Sequence, residues 1–88
     1  MMLDKNRKII GISQDEWKRL FARRLKDILN ERNMSQSALA RKSGLSVSRI
    51  NDYLKMKSAP TIFAAVNMAN ALDMKINDLI SFDRFVHD

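Results

Sequence analysis

Residues 35–60 carry two short helical patterns joined at one glycine, and this arrangement limits what the chain can fold into. Ser35 can cap the first helix, and Gly44 can end it because glycine takes a positive φ at no steric cost. Ser46 can then cap a second helix that ends near Leu54. Helices this short are not stable alone. The rest of the chain must therefore supply the helices that hold these two at a fixed angle.

The flanking sequence predicts three more helices. Ser13 followed by Glu16 is a capping-box pattern, and Asn33 suits the end of the helix that it starts. Apolar residues recur along that helix at helical spacing: Trp17, Leu20, Phe21, Leu25, Ile28 and Leu29. A fourth helix follows Pro60 and is capped by Thr61; its predicted core positions are Ile62, Ala65, Val66, Met68, Ala69 and Leu72, with Phe63 exposed. A short fifth helix covers residues 76–80.

The composition agrees with one small all-α domain. A chain of 88 residues can bury one modest core. Two glycines and one proline argue against a strand-and-turn architecture. We expect a leader or arm at residues 1–12, the helical domain at residues 13–80 and a tail at residues 81–88.

Several function classes lack the residues that they need. The chain has no cysteine and one histidine, and it shows no nucleophile–base set, glycine-rich phosphate loop or metal-ligand spacing. We therefore expect neither an enzyme nor a bound metal or cofactor. No apolar run approaches the roughly 20 residues that cross a bilayer, and the N-terminal apolar segment is too short for a secretory signal. The expected location is the cytoplasm.

The net charge of +6 is concentrated in the middle of the chain. Residues 17–57 carry eleven Lys or Arg and three acids, whereas residues 1–16 are neutral and residues 58–88 carry a net −2. A basic excess on one set of elements is what neutralisation of nucleic-acid phosphates requires. Charge alone leaves a second interpretation open, in which the basic residues only form an ordinary solvated surface.

Residues 25–80 resemble the Cro/phage-repressor (Xre-type) helix-turn-helix family. The resemblance rests on an ungapped set in the family's order and spacing: Met34, Ser35, Gln36, Leu39, Ala40, Gly44, Leu45, Ser46, Ile50, Pro60, Ala69, Leu72 and Leu79. It implies a five-helix lambda-repressor-like domain, commonly dimeric, that binds palindromic operators in double-stranded DNA. The function implied is that of a sequence-specific transcriptional regulator, with a repressor as the expected type. Residues 46–54 would form the recognition helix in the major groove.

The resemblance also implies DNA-contacting positions. Gln36 would contact the DNA backbone, Val47, Ser48 and Asp52 would read bases, and the two lysines of the following loop would contact phosphates. Arg49 is expected to offset the charge of Asp52, one helical turn away. The full predicted set is Gln36, Ser46, Val47, Ser48, Arg49, Asn51, Asp52, Lys55 and Lys57.

Four positions depart from the family pattern. Leu29 and Leu54 stand where the family often pairs an arginine with a glutamate, and we expect them to form an apolar contact instead. Met56 and Asp73 stand where glycine is usual, so both loops are expected to differ in shape.

The sequence leaves open two other function classes and the oligomeric state. The alternative function is the antitoxin of a toxin–antitoxin pair, which would bind a toxin and its own promoter. A small enzyme or a membrane-surface protein is the least supported class. Apolar side chains in the tail (Phe82, Phe85 and Val86), together with Phe63, suggest a homodimer interface, although they could equally fold onto their own core.

Overall fold

The computed structural model describes residues 12–80. The leader up to residue 11 and the tail at residues 81–88 lie outside the described residues, and so do the tail positions of the dimer hypothesis. The described part consists of five helices with no strand: α1 (Gln14–Glu31), α2 (Gln36–Ser43), α3 (Val47–Leu54), α4 (Ile62–Ala71) and α5 (Ile76–Ile80). The predicted all-α, five-helix architecture is confirmed.

Each of the first four helices begins at a side-chain cap. The residue before the helix is extended, and its hydroxyl oxygen accepts a hydrogen bond from the backbone N–H three residues later, at 3.0–3.2 Å. These bonds satisfy N–H groups that have no partner within the helix. The capping residues are those that the sequence predicts: Ser13, Ser35, Ser46 and Thr61.

The same four helices end in left-handed turns. The residues with positive φ are Asn33 (52°), Gly44 (76°), Met56 (62°) and Asp73 (53°). After α1, α3 and α4 the next residue along donates its N–H to the carbonyl five positions back at 2.9 Å, which is the Schellman pattern. Met56 and Asp73 thus adopt the positive φ that glycine would supply at these positions. The backbone angle therefore does not show the different loop shape that the sequence predicts for them.

The core lies where α1 and α2 meet the other three helices. α1 packs against α3 and α5, and α2 packs against α3 and α4. The largest fully buried side chains are spread over these helices and the residue that follows α4: Phe21, Leu25, Leu39, Ile50, Met68, Leu72 and Leu79. Burial of a large apolar side chain stabilises the fold by about 1.5–3 kcal/mol, so this shared core fixes the angles between the short helices.

Contacts among three aromatic rings pack α3 against α1. The rings of Trp17 and Phe21 lie 5.5 Å apart, and the ring of Tyr53 meets Phe21 edge-on at 6.1 Å and 89°. Phe21 and Tyr53 are buried, and Trp17 is partly buried against the core. Edge-to-face pairs contribute about 0.5–1.5 kcal/mol beyond their buried area. α3 is therefore held at its buried side by α1.

The predicted core face of α4 is partly wrong. Ala65, Met68, Ala69 and Leu72 are buried as expected and Phe63 is exposed as expected, but Ile62 and Val66 are exposed and Ala64 is buried. The start of α4 is apolar around its whole circumference, so its periodicity does not choose a face. Packing against α2 and α5 makes the choice, because small alanine side chains allow a closer approach than isoleucine and valine would.

Arg24 of α1 and Arg32, the residue that follows α1, make hydrogen bonds that stabilise the fold. Arg24 donates from Nε (3.2 Å) and Nη2 (2.6 Å) to the carbonyl of Asp78, and Arg32 donates from Nη1 to the carbonyl of Leu72 at the end of α4. A cation at the end of α4 also complements the negative end of the helix dipole. Part of the basic excess of the sequence therefore holds α4 and α5 in place.

Candidate nucleic-acid interface

The turn between α2 and α3 is short and is stabilised by hydrogen bonds of one serine side chain. The N–H of Gly44 donates to the carbonyl of Ala40 at 2.9 Å, which closes α2. The buried hydroxyl of Ser43 donates to the same carbonyl at 3.3 Å and accepts from the N–H of Leu45 at 3.4 Å. Sequence reasoning missed Ser43. Its hydroxyl satisfies backbone groups on both sides of the glycine and so limits the angle between the two helices.

The first turn of α3 presents side chains to solvent. Ser46, Val47, Ser48 and Arg49 are all exposed, with Val47 46% exposed. Ile50 follows them and is completely buried. The predicted outward face is therefore present at this end of the helix, with the buried isoleucine setting its orientation. Ser46 also has a structural role there, since its hydroxyl caps the helix.

Asn51 and Gln36 join α3 to α2 directly. Nδ2 of Asn51 donates to Oε1 of Gln36 at 3.3 Å, and both side chains are half-buried. The Gln36 carbonyl is occupied by this bond, so its amide N–H groups are the donors that remain for an external acceptor. The structure thus brings these two predicted site residues together, and their contacts to DNA stay predictions.

Arg49 does not pair with Asp52 as expected. No ion pair joins the two residues within the described part of the chain. Arg49 lies beside Tyr53 instead, at i, i+4 rather than i, i+3. Burial raises the pKa of Tyr53 above its ordinary value, and the neighbouring Arg49 guanidinium lowers this pKa by a smaller amount. Asp52 is half-buried, and within residues 12–80 no lysine or arginine forms an ion pair with its carboxylate.

The loop after α3 carries the two predicted phosphate-contacting lysines. Lys55 and Lys57 are exposed on either side of Met56, whose left-handed φ reverses the chain. The N–H of Lys57 donates to the Asp52 carbonyl at 2.9 Å, and the N–H of Met56 donates to the Tyr53 carbonyl at 3.1 Å. These two bonds fix the loop backbone against the end of α3.

A cleft of about 450 Å³ opens between α1, α2 and α3. Leu29 and Leu54 lie in its wall, so the two positions that the sequence predicts to replace an ion pair do face one space. Its polar lining includes Lys26, Gln36 and Lys55. Lys26 is a basic residue next to the α2 N-terminus that sequence reasoning missed, because the pattern of α1 indicates only a scaffold helix.

The fold and this surface define a helical DNA-binding domain, and comparison with protein families agrees. A family model described as helix-turn-helix matches residues 25–79. The chain belongs to the Cro/C1-type, Xre-like helix-turn-helix family. No curated protein and no solved structure matches it significantly.

Two further findings concern other kinds of site. Among the helices of residues 12–80, none combines the length and apolar character needed to span a bilayer. Within the same residues, no group of three or more potential ligand side chains is placed to hold a metal ion.

Proposed function

We propose that this protein is a sequence-specific transcriptional repressor that binds a palindromic operator as a homodimer in the cytoplasm. The observation that carries the proposal is the separation of roles on α3. Ile50 and Tyr53 are buried and hold the helix in place, while Val47, Ser48 and Arg49 are exposed beside them. A helix held rigidly by one face and mostly polar on the other suits insertion into the major groove.

Backbone contacts would position the domain on the duplex. The amide of Gln36 can donate to a phosphate at the start of α2, where the helix dipole also favours an anion. Lys55 and Lys57 can contact phosphates from the loop after α3, and Lys26 adds a positive charge on the α1 side of the cleft. Each phosphate neutralised adds about 0.9 to the slope of log affinity against log salt concentration.

Base contacts would supply the specificity. Val47 can contact a thymine methyl group, Ser48 can bond to more than one base, and Arg49 can donate to guanine. Asp52 can accept from the amino group of cytosine, because its carboxylate forms no ion pair with a cation of residues 12–80. A good base contact discriminates against a wrong base by about 1–3 kcal/mol.

Selection from a random-sequence duplex library, followed by titration of the enriched duplex in competitor DNA, tests the proposal. We expect Arg49→Ala to lower affinity for the selected site about 5–100-fold and to relax the preference at one base pair. Lys57→Ala should weaken binding to all sequences similarly and reduce the salt slope by about one. Arg23→Ala is the matched control, because it removes the same charge from an exposed position on α1. Absence of any enriched sequence, or equal effects of Arg49→Ala and Arg23→Ala, would contradict the proposal.

An antitoxin is the second candidate function. The observation that favours it is the exposed apolar start of α4, where Ile62 and Phe63 offer a surface to another protein. In that case the helix-turn-helix would bind its own promoter while this surface binds a toxin. Co-expression with the product of an adjacent gene distinguishes the candidates, since an antitoxin forms a stoichiometric complex that protects its host from that product.

A further inference from the structure

The cleft between α1, α2 and α3 combines an apolar floor with a cationic rim. Three apolar side chains form the floor: Leu29 is buried, and Met34 and Leu54 are partly buried against the core. Lys26 and Lys55 line the same cleft and are exposed. The volume of about 450 Å³ lies within the range of about 300–1,000 Å³ that is usual for small-molecule sites.

The charged groups of this cleft are all positive. Its lining, within the described part of the chain, includes two lysines and neither aspartate nor glutamate. Neither Lys26 nor Lys55 forms an ion pair within residues 12–80. The amide N–H groups of Gln36 are further donors, because its carbonyl oxygen already accepts from Asn51 at 3.3 Å. The rim therefore offers positive charge and hydrogen-bond donors to a small anion.

The apolar floor indicates that the anion carries an apolar chain. A bare anion such as phosphate would leave the surface of Leu29, Met34 and Leu54 in water, and burial of apolar surface is a main source of binding free energy. A neutral apolar compound would cover the floor but leave the two lysines without a counter-charge. An alkyl carboxylate of medium length matches both parts of the cleft.

We propose that this cleft binds a small amphiphilic anion, an alkyl carboxylate of medium length, and that the bound carboxylate displaces the DNA backbone. The ligand site is independent of the proposed operator binding, whereas the displacement rests on it. Gln36 and Lys55 are also predicted phosphate contacts, and the same donors cannot serve a ligand carboxylate and a DNA phosphate together. The protein would thus release its operator when the carboxylate accumulates.

Methionine methyl groups can report where the carboxylate binds. Met34 lines this cleft, whereas Met74 lines a separate cleft between α1, α4 and α5. The full chain, labelled with carbon-13 at its methionine methyl groups, is titrated with hexanoate, octanoate and decanoate below the concentrations at which they form micelles. We expect a saturable shift of the Met34 signal and little change of the Met74 signal. Affinity should rise up to about fourfold for each added CH₂. Met34→Leu assigns the reporting signal.

The contribution of the charge is measured with matched variants and ligands. Lys26→Ala should weaken octanoate binding about two- to fivefold at low salt. Lys42→Ala is the control, because it removes the same charge from an exposed position of α2 that does not line the cleft, and it should leave the affinity unchanged. Octanamide, which has the same chain without the charge, should bind more weakly than octanoate.

Three outcomes of these titrations would overturn the ligand site. Equal octanoate affinity of Lys26→Ala and Lys42→Ala, or equal affinity of octanoate and octanamide, would show that the lysine rim does not hold an anion. Saturation of the Met34 shift by inorganic phosphate at the concentrations needed for octanoate would show that the apolar floor contributes nothing. A shift of the Met74 signal alone would place the ligand in the other cleft.

Fluorescence anisotropy of a duplex selected for binding measures the displacement. Decanoate should lower the affinity for the duplex over the concentration range in which the Met34 signal shifts, whereas acetate at the same ionic strength should not. Equal effects of decanoate and acetate would reduce the displacement to an effect of salt. A saturable Met34 shift with unchanged duplex affinity would refute displacement and leave the ligand site. Failure to select any duplex would reject operator binding and displacement together, and the Met34 titration would still decide the ligand site.

Discussion

Replacement of Asp73 by glycine should stabilise the protein, although it removes a side chain. Asp73 follows the end of α4 with a φ of 53°, and its N–H donates to the carbonyl of Asn70 at 3.1 Å. Glycine reaches this φ without the steric penalty of a Cβ. The exposed carboxylate of Asp73 also lies at the negative end of the α4 dipole, where an anion is unfavourable.

Three effects of similar size decide the result. Relief of the left-handed conformation contributes about 1 kcal/mol, at the low end of the usual range because aspartate tolerates it. Removal of the anion contributes about 0.3–1 kcal/mol. The greater freedom of glycine in the unfolded chain costs about 0.4–1 kcal/mol. The net gain is about 1 kcal/mol at the centre of these ranges, which corresponds to a thermal midpoint about 4–8 °C higher for a domain of this size.

Two further variants separate these effects. Asp73→Asn removes the charge without removing the Cβ, so it should show only the dipole part. Gly44→Ala makes the converse change at a φ of 76°, where an added Cβ meets nothing within 4 Å. Its cost of about 1 kcal/mol therefore arises from the backbone alone.

Urea unfolding, followed by Trp17 fluorescence and by helical circular dichroism, measures all three variants. The denaturant slope should stay constant, so that changes in midpoint report changes in stability. If Asp73→Gly is less stable than Asp73→Asn, or if Gly44→Ala is neutral, the left-handed turns do not carry the strain assigned to them.

Three other predictions concern α3 and its neighbours. Leu29→Arg should destabilise the fold by about 3 kcal/mol because it buries an unpaired charge, whereas Leu54→Glu should cost less because Leu54 is half-buried. In a double-mutant cycle the double variant should lose at least about 1 kcal/mol less than the sum of the single variants. Simple additivity would show that the two residues do not meet. Ser46→Ala should lower the free energy of unfolding in urea by about 1 kcal/mol because the helix loses its cap. Ser48→Ala should change the free energy of unfolding by less than about 0.5 kcal/mol. Equal losses in the two variants would contradict the capping role of Ser46. The raised pKa of Tyr53 gives the folded state extra stability below pH 10.0, and this stability is lost as pH rises through the folded-state pKa. Tyr53→Phe should therefore lose less stability than the native chain when the pH is raised above 10.0. The phenolate absorbance of this single tyrosine measures the pKa, and a value below 10.0 would refute the prediction.

The helix boundaries could be predicted because their determinants are local. A serine or threonine three residues before an available N–H forms the same cap in any tertiary setting, and all four predicted caps are present. The exposed start of α3 could be predicted for a related reason. Once Ile50 and Tyr53 are assigned to the core, the helical period places Ser48 on the opposite side of α3 and Val47 at the edge of the core face.

The features that depend on how helices meet could not be predicted. The buried face of α4 depends on α2, so sequence periodicity places Ile62 and Val66 on the wrong side. The hydrogen bond between Asn51 and Gln36 requires the angle between two helices, which no sequence pattern contains. The spacing of Arg49 and Asp52 permits an ion pair, but its formation depends on side-chain conformation, and none is present in residues 12–80.

The division of α3 into an anchored face and an exposed face also bears on how such a protein could acquire new targets. Substitutions at exposed positions away from caps usually change stability by no more than about 0.5 kcal/mol. Val47 and Ser48 satisfy that condition, because their side chains take no part in the core or in the cap of the helix. If these two positions read bases as proposed, their variation can change the operator sequence while Ile50 and Tyr53 keep the helix in the same place. Under the proposed function, a change of target then requires no compensating change among the core residues of α3.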